Sequence, residues 1–254
     1  MENNESEHKM PFTEHLEELR RRLIICFVAV GVGFVICYFF SKQLFEILMR
    51  PLLQVMPPEE SLIFTALPEA FFTYLKVALL AGIGLASPVI IYQFWRFIAP
   101  GLYHKERRAL MPIVLFSTFF FVGGALFGYF VVFPFGFKFF IGFASDNIRA
   151  MPSIREYLKF AAKLLFAFGF IFELPLFTFF LARLGLVNAE LLRSKQKYAI
   201  LVIFMLAAIL TPPDVVTQVM MAGPLLILYE LSIWIAKVFG RKPLDLEEEE
   251  EASA

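Results

Sequence analysis

The sequence predicts an all-α membrane protein with six transmembrane helices, cytoplasmic N and C termini, and short helical caps on the outer face. Hydrophobic residues make up 59% of the 254 residues, and 33 residues are Phe. A soluble domain is about 45–50% apolar, so much of this apolar surface is expected to face lipid. Long apolar stretches and an uneven distribution of Lys and Arg predict the number and orientation of the helices.

Six apolar stretches carry the prediction of six spans. They cover residues 23–40, 70–96, 110–132, 158–182, 198–211 and 217–236. A helix needs about 20 residues to cross ~30 Å of hydrocarbon. The fifth stretch is shorter because Pro212 and Pro213 end it, and at ~1.5 Å per residue it covers roughly 21 Å.

The basic residues predict the orientation of the spans. With six spans, one side of the membrane receives Lys9, Arg20, Arg21, Arg22, Arg96, Lys105, Arg107, Arg108, Arg183, Arg193, Lys195, Lys197, Lys237, Arg241 and Lys242. The other side receives Lys42, Arg50, Lys138, Arg149 and Arg155. Since Lys and Arg accumulate in cytoplasmic loops, we expect both termini to be cytoplasmic.

Three regions follow from this topology. We expect a cytoplasmic N-terminal segment with an interfacial helix at 1–22, a six-span domain at 23–236 and an acidic cytoplasmic tail at 237–254. The outer loops at 41–69 and 133–157 are long, partly apolar and interrupted by Pro. We expect these loops to form short helices that cap the outer face.

Charged residues cluster in two predicted cytoplasmic segments. In the first, Glu17 and Glu18 stand just before Arg20 on a helix with a single apolar stripe. In the second, Glu106 is the only acid in a basic loop that includes Arg107. The residues alone allow a structural or a functional role for each segment. The structural role is Glu–Arg pairing on an interfacial helix for the first segment and basic residues that set the topology for the second.

Two acids and two glycines stand out within the apolar stretches. Glu173 lies near mid-membrane, where a carboxylate costs several kcal/mol and suggests a function, although a structural hydrogen bond between helices is the alternative. Pro175 predicts a kink in the next turn. Glu230 is also placed inside a span, where it pairs or binds. Gly124 and Gly128 are four residues apart and predict a helix-packing face.

Several classes of function find no support in the sequence. The formal net charge is zero, which argues against nucleic acid as a main partner. There is no nucleotide-binding phosphate loop, no zinc-protease helix and no hydrolase nucleophile motif. The chain also lacks Cys/His metal spacing. We therefore expect no enzyme activity, no cofactor and no metal site.

Five stretches together resemble the TatC family, the receptor subunit of the twin-arginine protein translocase. They are His15–Arg20, Phe97–Tyr103 with Glu106–Arg108, Tyr129–Pro134, Phe172–Pro175 and Leu210–Asp214. They occur in the family's order between about residues 10 and 240, and they are specific together rather than singly.

The resemblance implies a location and a ligand. It implies a multi-pass protein of the prokaryotic plasma (inner) membrane that binds the twin-arginine signal peptides of folded cargo proteins. The acids that receive the arginines match Glu18 and Glu106, with Glu17, Arg20 and Arg107 nearby. Carboxylates suit this ligand because the guanidinium fork matches a pair of oxygens.

The resemblance also implies protein partners and an energy source. Single-span TatA-type and TatB-type subunits would bind spans five and six of a multimeric complex, and export would draw on the protonmotive force. The matching partner-binding residues are Leu206, Leu210, Thr211, Asp214 and Gln218. Two alternatives remain: an ion-coupled small-solute secondary transporter that uses Glu173, and a structural assembly subunit.

Overall fold

The computed structural model describes residues 12–57, 62–64, 66–98, 110–143, 151–211 and 214–240, and almost all of these are helical. The helices are α1 (Phe12–Phe39), α2 (Ser41–Leu53), α3 (Glu69–Ile98), α4 (Leu110–Phe127), α5 (Phe133–Ile141), α6 (Ile154–Phe172), α7 (Leu174–Arg183), α8 (Ala189–Ser194), α9 (Gln196–Leu210) and α10 (Val215–Phe239). A π-helical turn, Gly128–Val132, joins α4 to α5.

Five helical stretches within the described residues are long and apolar enough to cross a membrane. They are His15–Phe39, Glu69–Ile98, Met111–Ile141, Ile154–Arg183 and Val215–Phe239. The predicted fifth span is the shorter helix α9, which has 15 residues. The prediction of an all-α membrane protein is confirmed, and the described residues contain five full-length candidate spans and the shorter apolar helix α9.

The structure describes two of the predicted helical stretches in more detail. Helix α1 runs unbroken from Phe12, so no loop separates the expected interfacial helix from the first span. The predicted fourth span is divided at Glu173 into α6 and α7. Because Pro175 has no N–H, the helical hydrogen-bond ladder is interrupted there.

The described parts of Met1–Ser41 and Leu75–Thr118 form one compact unit. Its helices α1 and α3 approach closely at two glycines, since a Cβ at Gly33 would lie 2.6 Å from the Gly82 carbonyl oxygen. The buried Trp95 indole donates to the Ser117 hydroxyl at 3.2 Å. Pro88 leaves the Gly84 carbonyl without its helical donor, and the Ser87 hydroxyl donates to that carbonyl at 2.7 Å.

The described parts of Lys42–Tyr74 and Phe119–Ala254 form a second unit. The short helix α2 lies in the first predicted outer loop, and α5, in the second, continues the candidate span Met111–Ile141 beyond the π-helical turn. Pro51 in α2 frees the Ile47 carbonyl, and the Tyr129 hydroxyl donates to this carbonyl. The Tyr157 hydroxyl donates to the neighbouring Leu48 carbonyl. Two tyrosines from α6 and the π-helical turn therefore hold α2 through its backbone.

The predicted glycine packing face is confirmed within this second unit. A Cβ at Gly124 would lie 2.3 Å from the Phe168 carbonyl oxygen of α6, and one at Gly128 would lie 3.5 Å from the Phe168 Cβ. The Phe168 side chain is fully buried. A small residue is needed at Gly124 because the backbones approach closely there, whereas the distance at Gly128 is an ordinary van der Waals contact.

We predict that Gly124→Ala lowers the stability of the protein in detergent by about 1–3 kcal/mol, because the added methyl group overlaps the backbone of α6. Gly123→Ala is the matched control, since a Cβ at Gly123 meets nothing within 4 Å. Thermal unfolding of the purified proteins measures the difference. Equal unfolding temperatures for the two variants would show that the close contact is not a constraint.

Candidate functional site

The charged N-terminal part of α1 contains a partly buried ion pair. The Arg22 guanidinium donates through Nη2 to Oε1 of Glu18, one helical turn earlier. The side chain of Glu18 is 25% exposed and that of Arg22 is 11% exposed. The pair therefore lies at a boundary between the packed interior and solvent, where charges are screened less than at a free surface.

The last turns of α3 pack against this part of α1. Arg22 Nη1 lies 3.4 Å from the Gln93 carbonyl oxygen. The His15 ring stacks on Phe97 with centroids 4.4 Å apart and an angle of 19° between the planes. The residues that precede the predicted Glu106 loop are thus in contact with the helix that carries Glu18.

The other predicted signal-peptide residues are placed differently. Glu17 and Arg20 are exposed on α1. Glu106 and Arg107 lie outside the described residues. Of the two predicted acids of α1, Glu18 is therefore the one that a hydrogen bond holds in a defined position. A carboxylate held in this way can offer a defined geometry to a guanidinium.

The two predicted intramembrane acids have opposite environments. Glu173 is buried, with 5% of its surface exposed, at the junction of α6 and α7. Glu230 on α10 is exposed and pairs with Arg193 of α8 at 3.0 Å. The preceding residue of α10, Tyr229, donates through its hydroxyl to the Leu192 carbonyl at 2.8 Å. Glu230 thus belongs to the attachment of α8 to α10.

The predicted partner-binding residues lie near the end of α9 and the start of α10. Leu206 is 41% exposed, whereas Leu210 and Thr211 are buried. The Thr211 hydroxyl donates back to the Ala207 carbonyl at 2.9 Å. The Gln218 amide donates to the Phe204 carbonyl at 3.0 Å and so links α10 to α9.

Asp214 caps the N-terminus of α10. Its Oδ1 accepts a hydrogen bond from the Thr217 backbone N–H at 2.7 Å, and its Oδ2 accepts one from the Thr217 hydroxyl. The hydroxyl bond is the main reason that the pKa of Asp214 lies below its ordinary value, and the backbone bond adds to the effect.

Sequence reasoning missed the buried acid Glu69, which joins the N-terminal ends of α3 and α6. Its carboxylate accepts from the Ser153 hydroxyl at 3.1 Å, the Arg155 N–H at 3.0 Å and the Ala66 N–H at 3.2 Å. Next to it, Ile63 and Ser153 form a parallel β-bridge. An acid in the first turn of a helix normally faces solvent, so only the fold reveals these partners.

Lys163 of α6 contacts the end of α9. Its ammonium group donates to the Ile209 carbonyl near the end of α9. In the part of the chain that the structure describes, no group of three or more His, Cys, Asp or Glu side chains is arranged to hold a metal ion.

The fold and these sites define a polytopic α-helical membrane protein with a charged cluster where α1 meets the end of α3. Residues 14–224 match the family model described as Sec-independent protein translocase protein (TatC). A TatC from Desulforapulum autotrophicum is 61% identical over 246 residues, which cover 97% of this chain and 91% of that protein. A TatC from Aquifex aeolicus is 45% identical over 240 residues, with 94% and 99% coverage.

Solved structures agree with the sequence relatives. A crystal structure of the twin-arginine translocase receptor TatC in DDM matches with a TM-score of 0.80 and 46% identity, covering 88% of this chain and all of that chain. The chain belongs to the TatC family and is a component of a Sec-independent protein translocase. It is a multi-pass inner-membrane protein, and none of these matches supports the small-solute transporter alternative.

We predict that Asp214→Ala lowers the thermal unfolding temperature more than Asp214→Asn does, because Asn retains a side-chain acceptor for the helix cap. The folded pKa is lowered, so the carboxylate stabilises the protein above its ordinary pKa, and this contribution disappears as pH falls through the folded value. The unfolding temperatures of parent and Asn variant should therefore converge as the pH is lowered below the ordinary carboxyl range. A difference in unfolding temperature between the parent and the Asn variant that does not change with pH would contradict the capping role of the carboxylate.

Proposed function

We propose that this chain is the receptor subunit that recognises twin-arginine signal peptides, and that Glu18 and Glu106 receive the two arginines. The observation that supports this most directly is the fixed, partly buried Glu18 carboxylate beside the end of α3. Phe97 in the last turn of α3 stacks on His15 of α1, and Glu106 follows Phe97 by nine positions in the sequence. The role of Glu106 itself rests on the family resemblance.

The proposed topology places this cluster where a signal peptide arrives. We propose six spans, with α9 as a short fifth span, both termini in the cytoplasm and α2 and α5 as caps on the outer face. The excess of Lys and Arg in the segments before α1, after α3, around α8 and after α10 supports this orientation. A 15-residue span covers only about 22 Å and would favour local thinning of the bilayer.

Arginine selectivity follows from the surroundings of Glu18. Arg20, Arg21 and Arg22 follow this acid closely in the sequence, so the positive charge of a peptide by itself adds little to its affinity for the site. Selectivity then depends on geometry, because a guanidinium presents two parallel donors to a carboxylate whereas an ammonium is a point charge. We therefore expect a twin-lysine peptide to bind more weakly than a twin-arginine peptide. Glu17, Arg20 and Arg107 complete the proposed surface.

We predict that Glu18→Gln or Glu106→Gln each weakens binding of a twin-arginine peptide by roughly ten- to a hundredfold. The reason is that a hydrogen bond to a charged group contributes about 1.5–3 kcal/mol. Fluorescence anisotropy of a labelled peptide with the full-length protein in lipid nanodiscs gives the affinity.

The exposed acid Glu190 on α8 provides the control, since Glu190→Gln removes the same charge and should leave the affinity unchanged. Each acid variant must also remain membrane-inserted and folded. If both Glu18→Gln and Glu106→Gln bind the peptide as tightly as the parent, the proposed site is wrong.

We further propose that TatA-type and TatB-type single-span subunits dock along α9 and α10. The exposed Leu206 offers an apolar contact, and the hydrogen bonds of Thr211, Asp214 and Gln218 fix the end of α9 and the start of α10. An apolar cavity of about 70 Å³ lies between α5, α6 and α10 and is lined in part by Phe160, Thr211 and Met221. Leu210 is buried, so its proposed contribution is to shape this surface.

The buried Glu173 is proposed to act in the same assembly. A carboxyl group at a helix break can offer a hydrogen bond to a polar residue of an entering span. Glu230, in contrast, is proposed to act only through its exposed pair with Arg193. Export is proposed to draw on the protonmotive force.

We predict that a photo-crosslinking residue at Leu206 of α9 captures a TatB-type subunit in membranes. Phe119 of α4 is the matched control, because its side chain is 71% exposed and equally apolar but lies on another span. Immunoblotting of the crosslinked products measures both. Crosslinks at Phe119 that equal or exceed those at Leu206 would contradict the proposed docking surface.

A further inference from the structure

The Glu18–Arg22 pair leaves hydrogen-bonding groups unused on both sides. Glu18 is bonded through Oε1 only, and its Oε2 is buried without a hydrogen-bond partner among the described residues. Arg22 Nε is likewise buried without such a partner. A guanidinium and a carboxylate that face each other squarely form two parallel hydrogen bonds. This pair forms one, so both partners carry an uncompensated desolvation cost.

The second contact of Arg22 is also weak. Its Nη1 lies 3.4 Å from the Gln93 carbonyl oxygen. This distance is longer than the roughly 2.7–3.2 Å that is usual between the nitrogen and the oxygen of such a hydrogen bond. Among the described residues, Glu18 is therefore the main hydrogen-bonding partner of Arg22. Arg22 can leave Glu18 at a smaller cost than a bidentate partner would.

We propose that Arg22 is a resident placeholder that occupies Glu18 in the unliganded receptor and is replaced by the first arginine of the signal peptide. The peptide guanidinium pairs with both carboxylate oxygens, and the Arg22 side chain moves toward the exposed side of α1 next to Arg21. This inference rests on the proposed function of Glu18. It adds the residue that sets the threshold for recognition.

The placeholder Arg22 lowers the affinity of the receptor for a peptide and also makes it selective for arginine over lysine. A peptide arginine regains more hydrogen bonding than Arg22 gives up, because two oxygens are satisfied instead of one. A peptide lysine presents a point charge and regains no more than Arg22 already supplies. Arg22 thus excludes single cations that a bare carboxylate would accept, and specificity arises from this competition.

The proposal predicts that substitutions of Arg22 and of Glu18 change the peptide affinity in opposite directions. Arg22→Gln should bind a twin-arginine peptide roughly three- to tenfold more tightly than the parent, because no resident pair has to be broken. A twin-lysine peptide should gain more than the twin-arginine peptide, so the ratio of the two affinities should fall. Arg22→Lys should lie between parent and Arg22→Gln, and it provides a second measurement if the Gln variant is unstable.

Arg21 provides a matched control for charge. It is the preceding residue, it is exposed, and no described acid pairs with it. Arg21→Gln removes the same positive charge from the same helix, so general electrostatic attraction of the peptide changes equally. We expect this variant to keep the parent's affinity ratio for the two peptides.

The experiment measures fluorescence anisotropy of labelled twin-arginine and twin-lysine peptides with the full-length protein in nanodiscs. The double variant Glu18→Gln/Arg22→Gln should bind as weakly as Glu18→Gln alone, since the carboxylate is gone. If Arg22→Gln weakens binding or leaves both affinities unchanged while Glu18→Gln weakens it, the placeholder is wrong and the receptor site stands. If Glu18→Gln has no effect, the proposed function itself fails.

Discussion

Hydrocarbon offers no hydrogen-bonding partner to a peptide group, and this constraint shapes the whole chain. Each backbone N–H and C=O within the membrane has to be paired inside the protein, which favours helices over any open strand. Nearly all described residues are accordingly helical, and the isolated bridge between Ile63 and Ser153 lies in the segments that join helices. Large apolar side chains such as Phe119 and Ile227 stay exposed, as expected for surfaces that face lipid.

The same constraint explains how the chain tolerates proline within its helices. A proline removes one donor and leaves the carbonyl four residues earlier without a partner. The Ser87 hydroxyl supplies the missing donor for Gly84, and the Tyr129 hydroxyl supplies it for Ile47. In the second case the replacement donor comes from a distant part of the chain, so the repair of α2 also fixes its position.

Charged groups follow the complementary rule, since a charge taken out of water needs a partner. Glu69 meets it with a hydroxyl and backbone N–H groups, and Asp214 meets it by capping α10. Glu18 meets it incompletely, through one hydrogen bond to Arg22. A carboxylate whose partner is poorly matched is well suited to exchange that partner for a better one, and the proposed role of Glu18 in arginine recognition uses this property.

The sequence by itself determined the helical membrane class, the approximate spans, the short α9 and the glycine contact of Gly124, because these depend on local apolar length, proline position and residue size. Its motifs also identified the family. Only the tertiary structure decided which residue pairs with Glu18, that Glu69 is buried, and that Leu210 points inward whereas Leu206 is exposed. The physical reason is that these environments depend on side-chain geometry in three dimensions. Glu18 has several arginines within one helical turn, and only the geometry shows that it pairs with Arg22. Glu69 and Ser153 are more than eighty positions apart, so the sequence does not show that they meet.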